Sequence, residues 1–163
     1  MKTRKLTLAS LLVAVGAASG SVIFIPVGVS KCFPVQHTIN VMAAVLLGPY
    51  YGTAIAFCIS LIRNFTGTGS LLAFPGSMAG ALLSGFIFYK TRNVTAAALG
   101  EVFGTGILGG LLAFPIAKFI MGKQIAAFFF IPPFLISTIG GSIIAWFLIK
   151  FLDTAKVLKR IQD

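Results

Sequence analysis

The chain has 163 residues, of which 58% are hydrophobic and only 10% charged, with a mean hydropathy of +1.02. A water-soluble domain of this size needs more polar surface, whereas apolar stretches of about 20 residues with almost no charge suit helices that cross a bilayer. The net charge of +10 does not point to nucleic acid, because the basic residues flank apolar runs and no aromatics are interleaved with them for base stacking. The sequence is that of a single all-α integral membrane domain.

The first run, Leu6–Ile25, follows Lys2, Arg4 and Lys5. A basic start and an apolar body also suit a signal sequence, but no small-x-small cleavage site leads into a polar region, so a retained span is expected. Ser10, Ala14 and Ala18 recur every fourth residue, with Gly16 and Gly20 close by. Such small residues let a second helix approach closely, either within the bundle or on a separate partner. Pro26–Pro34 is a break carrying Lys31 and Cys32.

Val35–Leu47 is short for a span and holds Gln36, His37 and Asn40 in its first turns. Gly48-Pro49 ends it, since a residue before proline avoids helical geometry. Tyr50 and Tyr51 then stand where an aromatic belt would lie, and apolar sequence resumes to Ile62. Val35–Ile62 is either one kinked helix or a hairpin of two. The hairpin keeps the chain's two basic ends, the second carrying Lys150, Lys156, Lys159 and Arg160, on one side of the membrane. Six spans are therefore expected, at about 6–25, 35–47, 50–63, 75–89, 95–114 and 126–149.

Polar character is concentrated in Arg63–Ser77, RNFTGTGSLLAFPGS, between the third and fourth runs. Lys90-Thr91-Arg92-Asn93 forms the next turn, Lys118–Lys123 a short outer loop, and Pro132-Pro133 a bend in the last span. This places Lys31, Arg63, Lys118 and Lys123 outside and the remaining basic residues in the cytoplasm. The word LLAFP occurs at Leu71–Pro75 and at Leu111–Pro115, each shortly after GTG. Both copies belong at the outer face and could frame one cavity, although a true internal repeat is the weaker explanation.

Ionisable groups inside a bilayer are costly and usually face the protein interior. Three stand out: His37, Arg63 and Glu101. Arg63 either snorkels to the interface or shapes a site with Asn64 and the glycine-rich loop. His37 and Asn40, one turn apart, present a planar ring and an amide from one helix face, or simply face water at a helix end. Glu101 accepts from substrate, holds a proton or pairs structurally, and its position two turns in from the cytoplasmic end of its helix favours pairing. Thr105, one turn further out, suits a central pocket better. One buried acid and one histidine support neither paired-carboxylate nor metal chemistry, and no Walker lysine follows GTG, so no enzyme and no cofactor is expected. Cys32 and Cys58 give no disulfide framework, and Cys58 suits a small core position.

Three segments, PVQHTINVMAAVLLGPYYG, LIRNFTGTGSLLAFPGSMAGALLSG and ALGEVFGTGILGGLLAFP, together resemble the ThiW family. These are substrate-capture (S) components of energy-coupling factor (ECF) transporters for the thiazole precursor of thiamine. The resemblance implies a six-helix S-component bundle with both termini inside, and a pocket in the outer half that topples across the membrane. It also implies a first helix whose face, here Ser10, Ala14 and Ala18, docks on a transmembrane coupling subunit served by two cytoplasmic ATPases. The implied ligand, hydroxyethylthiazole, needs aromatic faces and a few hydrogen bonds. Phe74 and Phe114 would supply the faces and His37, Asn40, Asn64 and Thr105 the bonds. Arg63, Ser77 and Glu101 complete the candidate set. Thiamine, another vitamin or a self-sufficient carrier remain the alternatives.

Overall fold

The computed structural model describes residues 2–27 and 30–154, and the basic residues Lys156, Lys159 and Arg160 fall outside that range. Six helical segments and one small hairpin make up the described chain. Helix α1 (Lys2–Val22) is followed by β1 (Ile25–Val27) and β2 (Ser30–Cys32), then α2 (Pro34–Leu47), α3 (Pro49–Phe65) and α4 (Ala73–Thr91). Helix α5 runs over Val94–Ile120 and α6 over Ile131–Thr154. These last two are long and apolar enough to cross a membrane.

Helix α2 is the axis of the molecule. At roughly 21 Å it is short, yet it packs against every other helix, and all of its residues except Val35 and Met42 are buried. Gly48 turns it into α3 with φ 91°, a region that favours glycine, and Pro49 opens α3, where a missing N–H costs nothing. The two helices then return close together, with the vacant Cβ position of Gly52 only 3.2 Å from the Ala44 backbone. The hairpin reading of Val35–Ile62 is the observed one.

Four expected boundaries move. The first helix stops at Val22, and the chain pairs Ile25 with Cys32 and Val27 with Ser30 in an antiparallel ribbon where only a break was expected. The β-branched residues around Pro26 favour extended backbone. Helix α5 does not end at Phe114 but continues past Pro115, so Lys118 lies on the helix rather than in a loop. Pro132 and Pro133 open α6 instead of bending it, again where N–H groups have no helical partner. Cys58 is half-buried, whereas Cys32 is the cysteine in the core; both are free.

Helix α5 departs from α-geometry over Val102–Gly109 and again over Ile116–Ile120, where it widens to a π-helix. The first π stretch crosses α4 glycine on glycine. A Cβ on Gly104 would sit 2.7 Å from Gly80 Cα, and one on Gly109 would collide with Gly76 Cα. Gly76 and Gly80 are one α-turn apart on α4, and Gly104 and Gly109 are one π-turn apart on α5. The two glycine pairs thus stay in register only because α5 is wound more loosely.

The outward faces of the long helices are apolar and open, as at Phe103, Leu112, Ile143, Phe147 and Phe151. Polar side chains lie inside: Gln36, His37, Asn40, Arg63, Glu101, Thr105 and Thr138 are all buried. That inversion suits a lipid environment. Charge is also divided. Lys5 and Arg92 line one small cavity with Gly48, and Trp146, which bonds Thr95 through Nε1 at 2.9 Å, lies beside Lys150. These residues mark a basic end, opposite the end that carries the glycine-rich loop.

Candidate functional site

A cavity of about 430 Å3 opens at the glycine-rich end. One wall is the first turn of α2, with Phe33, Gln36 and His37. Another is the end of α3 and the loop after it, Arg63 and Gly67–Ser70. Ser77 of α4 and Thr105 of the π-helix form the floor, while Phe130, Phe134 and Ser137 close the side towards α6. Gly20 and Phe24 complete the rim with Lys123.

Arg63 organises the loop. Its carbonyl accepts from the backbone N–H groups of Thr68 and Gly69, both at 2.9 Å, and its Nη2 donates back to Thr68 O at 2.9 Å. Gly67, with φ 71°, permits the tight return. The guanidinium stacks 3.8 Å from the Phe33 ring centroid, and Nη1 donates to Gln36 Oε1. Arg63 is only 2% exposed, which excludes the snorkelling alternative.

From Arg63 a directed line of hydrogen bonds crosses three helices. Gln36 Nε2 donates to Ser60 Oγ at 3.1 Å, Ser60 Oγ lies 3.0 Å from Ser77 Oγ, and Ser77 Oγ donates to Ala73 O at 2.8 Å. The acceptor role of Gln36 towards Arg63 fixes which way its amide faces.

The second cluster centres on Glu101 Oε1. It accepts from Asn40 Nδ2 at 2.9 Å, lies 2.9 Å from Thr105 Oγ1, and is 3.0 Å from His37 Nδ1. The carboxylate is fully buried, and Oε2 has no partner among the described residues. Asn40 Nδ2 is also 3.3 Å from Ser77 O, which joins this cluster to the Arg63 line. With Nδ1 held by the carboxylate, the other ring nitrogen of His37 is left for the cavity that His37 lines. The arrangement of Gly80 is part of this site, because a Cβ there would meet Glu101 Cδ at 2.8 Å.

The candidate residues therefore divide. His37, Arg63, Ser77 and Thr105 line the cavity, and Asn40 and Glu101 stand directly behind it. Glu101 is not remote from the outer polar residues, as its place in the sequence suggested, because α2 begins deep enough to bring His37 and Asn40 level with it. Asn64, Phe74 and Phe114 lie off the wall. Asn64 donates back to Ser60 O, Phe74 packs on Phe57, and Phe114 lies under Lys118. The aromatic faces come instead from Phe24, Phe33, Phe130 and Phe134, and the unforeseen polar members are Gln36 and Ser60. Gln36 shares a helix face with Asn40, and Ser60 lies one turn before Arg63, so helical spacing carried a signal for both. The two LLAFP segments do approach each other, since Leu72 and Ala113 share one apolar cluster, but only the first borders the cavity.

Ser10, Ala14 and Ala18 are exposed, while Gly16 and Gly20 of the same helix face inward against Ile59 and Arg63. The small-residue stripe is thus on the outside of the bundle. No group of His, Cys, Asp or Glu among the described residues is arranged to hold a metal ion. The cavity offers hydrogen bonds, ring faces and positive charge, which are means of binding rather than of bond breaking.

Comparison with curated proteins and with solved structures found no match. The sequence model of one family, described as thiamine-precursor transporter protein (ThiW), matches residues 6–155, and the chain belongs to that family.

Proposed function

We propose that this protein is the substrate-capture subunit of an ECF-type importer, binding hydroxyethylthiazole from outside and delivering it through an ATP-driven coupling module. The single observation that carries this is the cavity itself. Its volume of about 430 Å3 lies in the range of small-molecule sites, roughly 300–1,000 Å3, and it combines phenylalanine faces with a few fixed polar groups. In this reading the six helical segments are six spans. The cavity end faces outward, and the end with Lys5, Lys90, Arg92 and Lys150 faces the cytoplasm together with both termini. The exposed stripe of Ser10, Ala14 and Ala18 is the docking face for the transmembrane coupling subunit, with two ATP-binding subunits beneath it.

Calorimetry on the purified chain, without ATP, tests the capture role against hydroxyethylthiazole, thiamine and pyridoxine. Selective saturable binding of the thiazole is the expected result. A folded sample that binds none of them rules the role out. Alanine-to-leucine changes at Ala14 and Ala18 are expected to leave that binding intact while abolishing uptake in cells that supply the coupling module; unchanged uptake would remove the docking assignment.

A further inference from the structure

We infer that the cavity selects a thiazole bearing an anionic substituent, a carboxylate or a phosphate monoester, and that Arg63 is the group that reads it. This rests on the capture reading above and shifts its preferred ligand from the neutral alcohol to an anionic relative of it.

The argument is one of unbalanced charge. Arg63 is 2% exposed, and its recorded partners are the Gln36 amide oxygen, the Thr68 carbonyl and the Phe33 ring, none of them an anion. Those two hydrogen bonds leave N–H donors over, and Nε has no hydrogen-bond partner among the described residues. Lys123 adds a second cation at the rim of the same cavity. The chain has three acidic residues. Asp153 is exposed near the far end of α6, Asp163 lies outside the described residues, and Glu101 is sealed behind the wall with Oε1 already facing three donors. No acidic side chain among the described residues lines the cavity.

A buried cation without a counter-ion is costly, and it is the guanidinium fork that suits a carboxylate or phosphate in two-point contact. The ligand would bring the missing charge. The ring of such a ligand would rest among the phenylalanines, with its anionic arm towards Arg63. By the same field, thiamine, which carries a fixed positive charge on its thiazolium ring, is disfavoured.

The test is titration calorimetry on the full-length wild-type protein with four probes: hydroxyethylthiazole, its phosphate monoester, the corresponding thiazole carboxylate, and thiamine. One of the two anions is expected to bind at least about tenfold tighter than the alcohol, with thiamine weakest, and added salt should narrow the gap. The tighter anion identifies which of the two groups the site is built for. Arg63→Gln should erase the anion preference, and Arg63→Lys should retain part of it. Alcohol binding as tight as or tighter than both anions overturns the inference while leaving the capture role standing. Failure of all three thiazoles to bind a folded sample overturns both. The wild-type ranking decides the matter even if the Arg63 variants fail to fold.

Discussion

The two ends of the bundle are built on opposite principles, and α2 shows the change within a single helix. Its first half, through Asn40, carries Gln36, His37, Thr38 and Asn40; its second half, from Val41 to Leu47, is apolar throughout. Val45 and its neighbours in the second half pack with Ile55, Ile59, Phe88 and Ile149 into an apolar core, with Lys5 and Arg92 beside a smaller cavity at its rim. Around the first half the packing gives way to a cavity, hydrogen bonds and a π-helix. A helix at the centre of a membrane bundle has no lipid-facing side, so it can hold polar groups wherever neighbours satisfy them. The apolar end is packed, and the polar end holds the candidate site.

If the division is real, the largest effect should come from Glu101. Glu101→Leu removes the oxygen on which His37, Asn40 and Thr105 converge and leaves all three buried. A buried donor left without its acceptor costs about 1–3 kcal/mol, and here several lose the same one, so thermal unfolding should shift sharply and ligand binding should fall below detection. Glu101→Gln keeps an oxygen acceptor and should recover part of both. Normal binding by the leucine variant would reduce the polar end to ordinary packing.

A pair of glycines separates strain from function. A Cβ on Gly80 would collide with the side chains of Thr105 and Glu101 at the cavity end, and a Cβ on Gly85 would collide with the Pro49 backbone at the basic end. Overpacking of this kind costs typically about 1–3 kcal/mol, so both Gly80→Ala and Gly85→Ala should lower the melting temperature, Gly85→Ala by more because backbone gives less easily than a side chain. Only Gly80→Ala should also weaken ligand binding, because it displaces Glu101 and Thr105. Equal loss of affinity in both would mean that the two ends are not independent.

The sequence made the bundle legible in most respects, because apolar runs, a Gly-Pro turn and flanking charges act locally. The turn at Lys90–Asn93 is an instance: it falls where expected, and there Asn93 Oδ1 accepts from Thr95 N at 2.8 Å and Ala96 N at 3.2 Å, capping the next helix. Arg63, His37 and Glu101 were also visible, since charge in an apolar chain has few explanations. What was not visible is depth. Counting turns from presumed membrane borders put Glu101 and His37 at different levels, and only the three-dimensional staggering of α2 against α5 brings them within 3.0 Å. The π-winding of α5 was hidden for the same reason, as it answers glycines on α4 that lie far away in sequence. Sixteen phenylalanines likewise left the choice of ring faces open, because composition does not say which of them turn inward.

The finest distinction concerns two asparagines. Asn40 is fully buried and donates to Glu101, so Asn40→Ala should cost about 1–3 kcal/mol in stability and weaken binding in step. Asn64 is half-buried, and its one side-chain hydrogen bond among the described residues, at 3.2 Å, returns to the Ser60 carbonyl one turn earlier on its own helix. Removing it opens no cavity and strands no partner, so Asn64→Ala should change stability by no more than about 0.5 kcal/mol and affinity by no more than about twofold. Calorimetry on the two variants side by side is enough to check this. Were Asn64→Ala to weaken binding as much as Asn40→Ala, the ligand would have to reach the flank of α3 beyond Arg63. The polar end would then extend past the wall that Arg63 forms, and the boundary between the two halves would lie on α3 rather than within α2.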